Sequence, residues 1–259
     1  MKAAIIIGGL PKAWWYQVPA IPEMMNGVPA DIYIYSWDNF TEGYSAEEGL
    51  RVLSEEYQPF KIKVESFSTI EPELARRAEE LAQYQPPNEK RKKKYSLKTG
   101  LLAQYYTIRK AWELIDNPDE YDVVIRMRFD WTPRFKFDWG ELYEWTRDHI
   151  CYCNRSRQGL KAEGLALSDF FMVSNPKIMS VYTSLFQKMM HTDDYIPVVL
   201  EKKCFIPEFI LAYHFEVNEI KRRPSYFPYE LRHRPNIIHT PQGKRILKES
   251  QYIRRKDEH

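Results

Sequence analysis

Three apolar segments, far apart in the chain, each run into polar or glycine residues, and this pattern constrains the fold more than any other feature. The first is Lys2-Ala-Ala-Ile-Ile-Ile7, followed by Gly8-Gly9-Leu10-Pro11-Lys12. The second is Asp31-Ile-Tyr-Ile-Tyr-Ser36, followed by Trp37-Asp38-Asn39, and the third is Tyr121-Asp-Val-Val-Ile-Arg-Met-Arg128, followed by Phe129-Asp130. Apolar runs of this kind, ending on polar or glycine residues, read as β-strands. Open α/β sheets bind ligands in the crevice beyond the carboxyl ends of their strands. Three such ends in one chain therefore predict one shared site, able to hold phosphates, a sugar and a metal.

Helical patterns lie between these strands. Ser45-Ala-Glu-Glu48 has the spacing of a capping box, ahead of Leu50, Leu53 and Tyr57 on one side. A short strand is predicted over Lys61–Glu65. Ser68-Thr-Ile-Glu71 has the spacing of a second box, ahead of Leu74, Ala78 and Leu81. After Gln85-Pro-Pro-Asn88 and the basic run Lys90–Lys94, an amphipathic helix carries Leu101, Tyr105, Ile108, Trp112 and Ile115 and closes at Asn117-Pro118. The β-α-β-α order predicts parallel strands joined by right-handed crossovers. Further on, His149–Cys153 and Ala166–Val173 suit strands. Asn175-Pro176 and Pro207-Glu208 suit helix starts, the first ahead of Ile178, Tyr182, Leu185 and Met189, the second ahead of Ile210, Leu211, His214 and Phe215. We expect one α/β domain over residues 1–220. Residues 221–259, rich in Pro, Tyr and Arg, are expected to form a helical or irregular extension packed on it.

With 44% hydrophobic and 29% charged residues over 259 positions, the chain has the make-up of an ordinary globular protein. No apolar run approaches the ~20 residues of a membrane-spanning helix. The N-terminus lacks the pattern of a leader peptide, and three cysteines (Cys151, Cys153, Cys204) are too few for a disulfide framework. Both features point to a reducing, cytoplasmic setting. Net charge is +2, with basic runs at Lys90–Lys94, Lys221–Arg223 and Arg254–Lys256. These are solvated surface or a rim for an anionic partner: a phosphorylated ligand, nucleic acid or the cytoplasmic face of an anionic membrane. Cys151-Tyr-Cys153 and His191-Thr-Asp-Asp194 supply too few ligands at the right spacing for a structural zinc.

The chemistry concentrates at the strand ends. Gly8-Gly9-Leu10-Pro11-Lys12 is neither G-x-G-x-x-G nor a P-loop, which argues against a dehydrogenase and a P-loop kinase. It serves either as a tight turn or as a place where backbone N–H groups approach a nucleotide while Lys12 adds charge. Arg126, Arg128 and Asp130 alternate onto one face of the third strand. Arginines inside a parallel sheet are costly unless paired. They form either a structural ion-pair network, with Asp38 a candidate member, or a site in which Arg128 grips a diphosphate and Asp130 meets a metal or sugar hydroxyl. Ser96 and Lys98 open the long helix, where an N-terminus attracts phosphate, although Ser96 also suits a plain cap.

Taken in order, these segments carry a resemblance. An isoleucine-rich strand, Gly9-Leu10-Pro11-Lys12, Asp31–Asp38, Tyr95-Ser-Leu-Lys98 and Tyr121–Asp130 resemble the polysaccharide and lipopolysaccharide glycosyltransferase-like proteins of bacteria and large viruses, of the WavE type. Leu167–Ser174 and Pro207–Tyr213 continue it, so that it spans roughly residues 1–220. The resemblance implies a GT-A-like fold, Rossmann-like, with a mostly parallel central sheet flanked by helices. It also implies transfer of a sugar from a nucleotide-sugar donor, UDP- or GDP-type, to a glycan or other hydroxyl acceptor. Donor contacts would fall on Gly8, Gly9, Lys12, Trp37, Asp38, Ser96, Lys98, Arg126, Arg128 and Asp130. Asp169, which early in an apolar strand must be paired or functional, or Glu208, which the first turn of a helix also stabilises without any role, would be the base that deprotonates the acceptor in an inverting reaction. Such enzymes place Asp-x-Asp after the central strand to hold Mn²⁺ or Mg²⁺; here the triplet is Arg128-Phe129-Asp130. One carboxylate remains, so either Asp130 holds the ion with help from the diphosphate or Arg128 replaces its charge. Two other classes stay open: a non-catalytic nucleotide- or glycan-binding module on the same fold, and a basic nucleic-acid-binding or nucleotide-processing protein.

Overall fold

A computed structural model of the chain describes residues 1–11, 14, 17–40, 44–84, 99–153, 170–197, 207–225, 227, 229–231, 237–240 and 243–246. The first half contains β1 (Ala3–Gly9), α1 (Ala20–Met25), β2 (Ala30–Trp37), α2 (Ala46–Tyr57), β3 (Lys61–Glu65), α3 (Phe67–Ala82), α4 (Thr99–Trp112), β4 (Val123–Met127) and β5 (Trp131–Pro133). Then come α5 (Trp139–Thr146), β6 (His149–Cys153), β7 (Phe171–Ser174), α6 (Pro176–His191), α7 (Pro207–Val217) and β8 (Lys221–Ser225). Three short strands follow, β9 (Tyr229–Leu231), β10 (Ile237–Thr240) and β11 (Gly243–Ile246).

The main sheet has seven strands in the order β3-β2-β1-β4-β7-β6-β8. The first four are mutually parallel; β7 alone runs against its neighbours β4 and β6, and β8 is parallel to β6. This is a Rossmann-like α/β fold with helices on both faces. On one face Ala4, Ile6, Tyr35, Val124 and Met172 pack under the buried sides of α3, α4, α6 and α7. On the other, Ile5, Ile7, Ile34, Ile125 and Val173 pack against α1, α2 and α5. Burial on both faces explains why β1 and β4 have no polar alternation. A smaller antiparallel sheet, β11-β10-β9-β5, lies beside it.

Among the described residues, side-chain caps open α2, α5 and α6. Ser45 and Glu48 form the reciprocal capping box expected for α2. The buried side of that helix is Gly49, Leu53 and Tyr57, while Leu50 is exposed. The Asn175 side chain accepts from the Ile178 amide to open α6, and Pro176 takes the first helical position. The box expected at Ser68 does not form. α3 starts earlier, at Phe67, whose ring meets Trp37 edge-on at 5.2 Å, so a tertiary contact overrides the local motif. The extension expected beyond residue 220 supplies strands in place of helix. β8 is hydrogen-bonded into the main sheet beside β6, so the proposed boundary at 220 falls immediately ahead of a strand of that sheet. Arg77 ties α3 to the end of α6 within one layer. Its guanidinium donates to the Met189 and Thr192 carbonyls at the end of α6, at 2.8 and 2.5 Å, and to Asp193 at 3.0 Å. No helix among the described residues is long and apolar enough to cross a membrane.

Candidate active site

Strand order reverses between β1 and β4, because β2 and β3 build outward on one side of β1 while β4 begins the other. A crevice forms beyond the carboxyl ends at such a switch point. A cavity of about 300 Å³ lies there. Gly8, Gly9 and Leu10 from the end of β1 line it, with Trp37 and Asn39 after β2, Phe67 at the start of α3, Gly100, Ala103 and Gln104 in the first turns of α4, and Arg128, Phe129 and Asp130 after β4.

Each wall has a local cause. A side chain at Gly8 would bring its Cβ within 2.8 Å of the Thr107 backbone, so glycine lets α4 lie directly on β1. Gly9 has φ +131°, a conformation that side chains rarely adopt. Together they bring bare backbone to the cavity. Trp37 stacks at 5.5 Å on Tyr106 of α4, with 9° between the rings, which fixes the indole as a wall. The amino-terminal turns of α4 face the same space, and such a terminus carries unpaired N–H groups and a partial positive charge.

The floor is the turn after β4. The Trp131 amide donates to the Arg128 carbonyl at 3.1 Å, closing the turn Arg128-Phe129-Asp130-Trp131. Arg128 grips Asp130 with two hydrogen bonds, Nε to Oδ1 at 2.9 Å and Nη2 to Oδ2 at 2.8 Å. Asp130 is only 7% exposed, whereas a carboxylate just past a strand end would be expected to meet water freely. The Arg128 side chain is 27% exposed and lies over the Phe170 ring at 4.6 Å.

The turn is held from beneath by Gln17. This side chain is fully buried, and its Nε2 donates to the carbonyls of Arg128 at 2.6 Å and Trp131 at 2.7 Å. Its Oε1 accepts from the Tyr57 hydroxyl at 2.9 Å, which links the turn to α2. Burial raises the Tyr57 phenol well above its ordinary pKa, so it stays a donor.

Of the residues singled out from sequence, Gly8, Gly9, Trp37, Arg128 and Asp130 converge on this cavity. Asp38 sits beside it at the end of β2, its amide donating to the Glu65 carbonyl, and the lining there comes from Asn39. Arg126 does not continue the face into the cavity. β4 ends at Met127, and Arg126, in register with Ile6 and Met172, stays in the layer under the helices with no exposed surface. Among the described residues none of its three guanidinium nitrogens has a hydrogen-bond partner, so the ion-pair network envisaged for it with Asp38 is not formed there. Lys12, Ser96, Lys98 and Asp169 lie outside the described residues. Glu208 takes its expected place in the first turn of α7. Sequence reasoning missed Asn39, Phe67, Gln104 and Gln17. Asn39 could have been found as part of the second polar strand end, but nothing local marks Gln17.

Among the described residues, the donor set does not fit a divalent ion held by the protein itself. No group of three or more His, Cys, Asp or Glu residues is placed to bind one among the described residues, and both Asp130 oxygens are engaged by Arg128. A divalent ion would need most of its ligands from substrate oxygens and water.

No family model matches the chain, and no curated protein matches it. Among solved structures, the chain is similar to mouse xyloside xylosyltransferase 1 in its apo form. The TM-score is 0.46 at 8% identity, covering 87% of this chain and 86% of that one. A similarity this low carries no argument about activity.

Proposed function

We propose that the protein transfers a sugar from a nucleotide-sugar donor to a hydroxyl acceptor. One observation carries this reading: at the topological switch point, bare backbone, a helix amino terminus, an arginine and an aromatic wall face one cavity of about 300 Å³. In the proposed pose the diphosphate lies across Gly8–Gly9, the first turn of α4 and Arg128. The nucleoside lies toward Leu10, Trp37 and Phe67, within reach of the Asn39 and Gln104 carboxamides. As the glycosidic bond breaks, negative charge grows on the diphosphate, and positioned donors there lower the barrier. If the reaction inverts the anomeric centre, a carboxylate takes the acceptor proton from the face opposite the leaving group. Asp169 and Glu208 are the candidates, and Glu208→Gln should abolish turnover while leaving donor binding intact if Glu208 is the base.

The test is a thermal-shift and isothermal-titration panel of UDP-, GDP-, CMP- and dTDP-sugars with and without Mn²⁺, followed by an assay of donor hydrolysis. Binding by one nucleotide class, weakened in Arg128→Ala, supports the reading. No shift with any donor ends it. The capture of Asp130 by Arg128 favours one alternative, a nucleotide-binding module without turnover. Donor binding without hydrolysis or transfer to any acceptor would establish that instead.

A further inference from the structure

A second cavity, of about 360 Å³, shares no lining residue with the first. It sits between the segment that follows β5, the helix α5 and the edge strand β8. Phe135, Phe137, Trp145 and Phe227 form its apolar part, and Lys136, Asp138, Glu141 and Arg223 surround it. The rings are mutually braced: Phe135 stacks on Phe227 at 4.8 Å and meets Phe137 at 5.2 Å. Phe135, Trp145 and Phe227 are only half buried. The Arg223 guanidinium lies over the Trp145 ring at 3.8 Å, which holds a planar set of donors at the rim. Asp138 caps α5 by accepting from the Glu141 amide at 3.2 Å. No ion pair joins Lys136, Asp138 or Glu141 to any partner among the described residues, although all three are exposed beside one another's opposite charges.

We infer that this cavity binds a carbohydrate, and that it is where the acceptor glycan rests. The term acceptor depends on the transferase reading above; carbohydrate binding does not. The chemistry selects the ligand. The charged rim holds two cations and two carboxylates, so it favours neither an anion nor a cation overall. A nucleotide would meet Asp138 and Glu141, and a lipid chain or apolar peptide would cover both carboxylates without pairing them, which is costly. A sugar ring matches all of it. Its C–H face suits the electron-rich face of an aromatic ring. Its hydroxyls donate to Asp138 and Glu141 and accept from Lys136 and Arg223. The volume falls in the range of about 300–1,000 Å³ common to small-ligand sites. The chain itself joins the two cavities, because Arg128–Asp130 floor the first and Phe135–Asp138 line the second, five residues further on.

The experiment uses the full chain. Saturation-transfer NMR and tryptophan fluorescence are recorded with a panel of neutral xylo-, manno-, malto-, cello- and chito-oligosaccharides, for the native protein, Trp145→Ala and Glu141→Gln. We expect at least one series to bind the native protein and both variants to weaken it by about tenfold or more, with nucleotide-sugar binding unchanged. Glu141 is exposed, so its variant keeps the test valid if Trp145→Ala does not fold. Glycan binding lost in the variants, in a protein that binds no nucleotide-sugar, would sustain this site and sink the transferase reading. Nucleotide-sugar binding with no oligosaccharide bound, or oligosaccharides bound equally well by both variants, would overturn the site.

Discussion

Gln17→Ala should loosen the floor of the candidate active-site cavity without touching its surface. The Gln17 carboxamide makes three buried hydrogen bonds, two to carbonyls of the turn that carries Arg128 and Asp130 and one from Tyr57. A buried hydrogen bond contributes about 0.5–1.5 kcal/mol net, so the three together contribute about 1.5–4.5 kcal/mol. The Arg128 carbonyl keeps the Trp131 amide, and the Tyr57 hydroxyl can fall back on the Trp14 carbonyl at 3.3 Å. Those fallbacks favour the lower half of the range. At about 2–4 °C per kcal/mol for a chain of this size, the melting temperature should drop by roughly 3–12 °C. Function should suffer more than stability. A displacement of about 1 Å at a reacting group can cost ~10²-fold, and this turn positions both charged residues of the floor. The assays are a thermal melt, a donor titration and single-turnover transfer. Gln17→Leu, which restores volume but no hydrogen bond, should recover part of the melting temperature and none of the turnover. If Gln17→Ala melts and turns over like the native protein, the clamp does not position the turn and the reasoning fails.

Three further outcomes follow from the same geometry. Arg128→Ala should cut turnover by ~10²–10³, Arg128→Lys should recover only part because a point charge cannot bond two oxygens at once, and chelation with EDTA should reduce turnover only partly; complete silencing by EDTA with full rescue by Mn²⁺ would show that a metal supplies the charge. Arg126→Met should raise the melting temperature, since it removes a buried charge with no hydrogen-bond partner among the described residues and leaves an apolar side chain of similar length; a lower melting temperature on differential scanning would refute this. His214, 1% exposed, has its pKa held down by burial, with the positive charge of Lys188 adding to the effect, while its bond to the Val181 carbonyl opposes it. The unfolded chain therefore takes up this proton at higher pH than the folded one. Stability from the neutral ring is complete above the unfolded value of about 6.5 and falls as pH drops through it, so melts between about pH 7.5 and 5.5 should fall less steeply in His214→Gln.

How much of this was legible in the sequence depends on how local each cause is. β1, β2 and β4 could be read because strands buried on both faces are apolar runs, and α6 because Asn175-Pro176 caps and starts it within four residues. The convergence of Gly8, Trp37, Arg128 and Asp130 followed from strand ends alone. β8 was hidden because Lys221-Arg-Arg-Pro-Ser225 looks like a loop. As the edge strand of the main sheet it can carry charge and a proline that a central strand would exclude. Gln17 was hidden for a different reason. It stands 111 residues from Arg128, and no periodicity or motif marks a glutamine that serves two distant carbonyls. Arg126 misled because alternation gives the face of a strand but not where the strand stops. β4 ends at Met127, so Arg126 falls inside the helix-covered layer and Arg128 falls on the turn.

The Arg128–Asp130 pair changes what the triplet after β4 can do. Two acids in that position would attract a divalent ion. An arginine and an acid two residues apart are instead joined by two hydrogen bonds within one turn, so a cation already meets the carboxylate's charge. The pair is asymmetric in exposure, with the Arg128 side chain at 27% and the Asp130 side chain at 9%. A ligand entering the cavity therefore meets the guanidinium more readily than the carboxylate. Under the proposed transferase reading, Asp130 orients Arg128, holding its planar fork against the turn so that less side-chain freedom would be lost on binding a diphosphate. On this view the carboxylate and Gln17 perform related tasks from opposite sides, one fixing the side chain of residue 128 and the other fixing its backbone. Asp130→Asn separates this role from metal binding. It keeps one acceptor for Arg128 and removes the charge a metal would need, so it should weaken donor binding modestly and leave the response to Mn²⁺ unaltered. A donor affinity that depends on Mn²⁺ in the native protein and loses that dependence in Asp130→Asn would show that the carboxylate serves an ion instead.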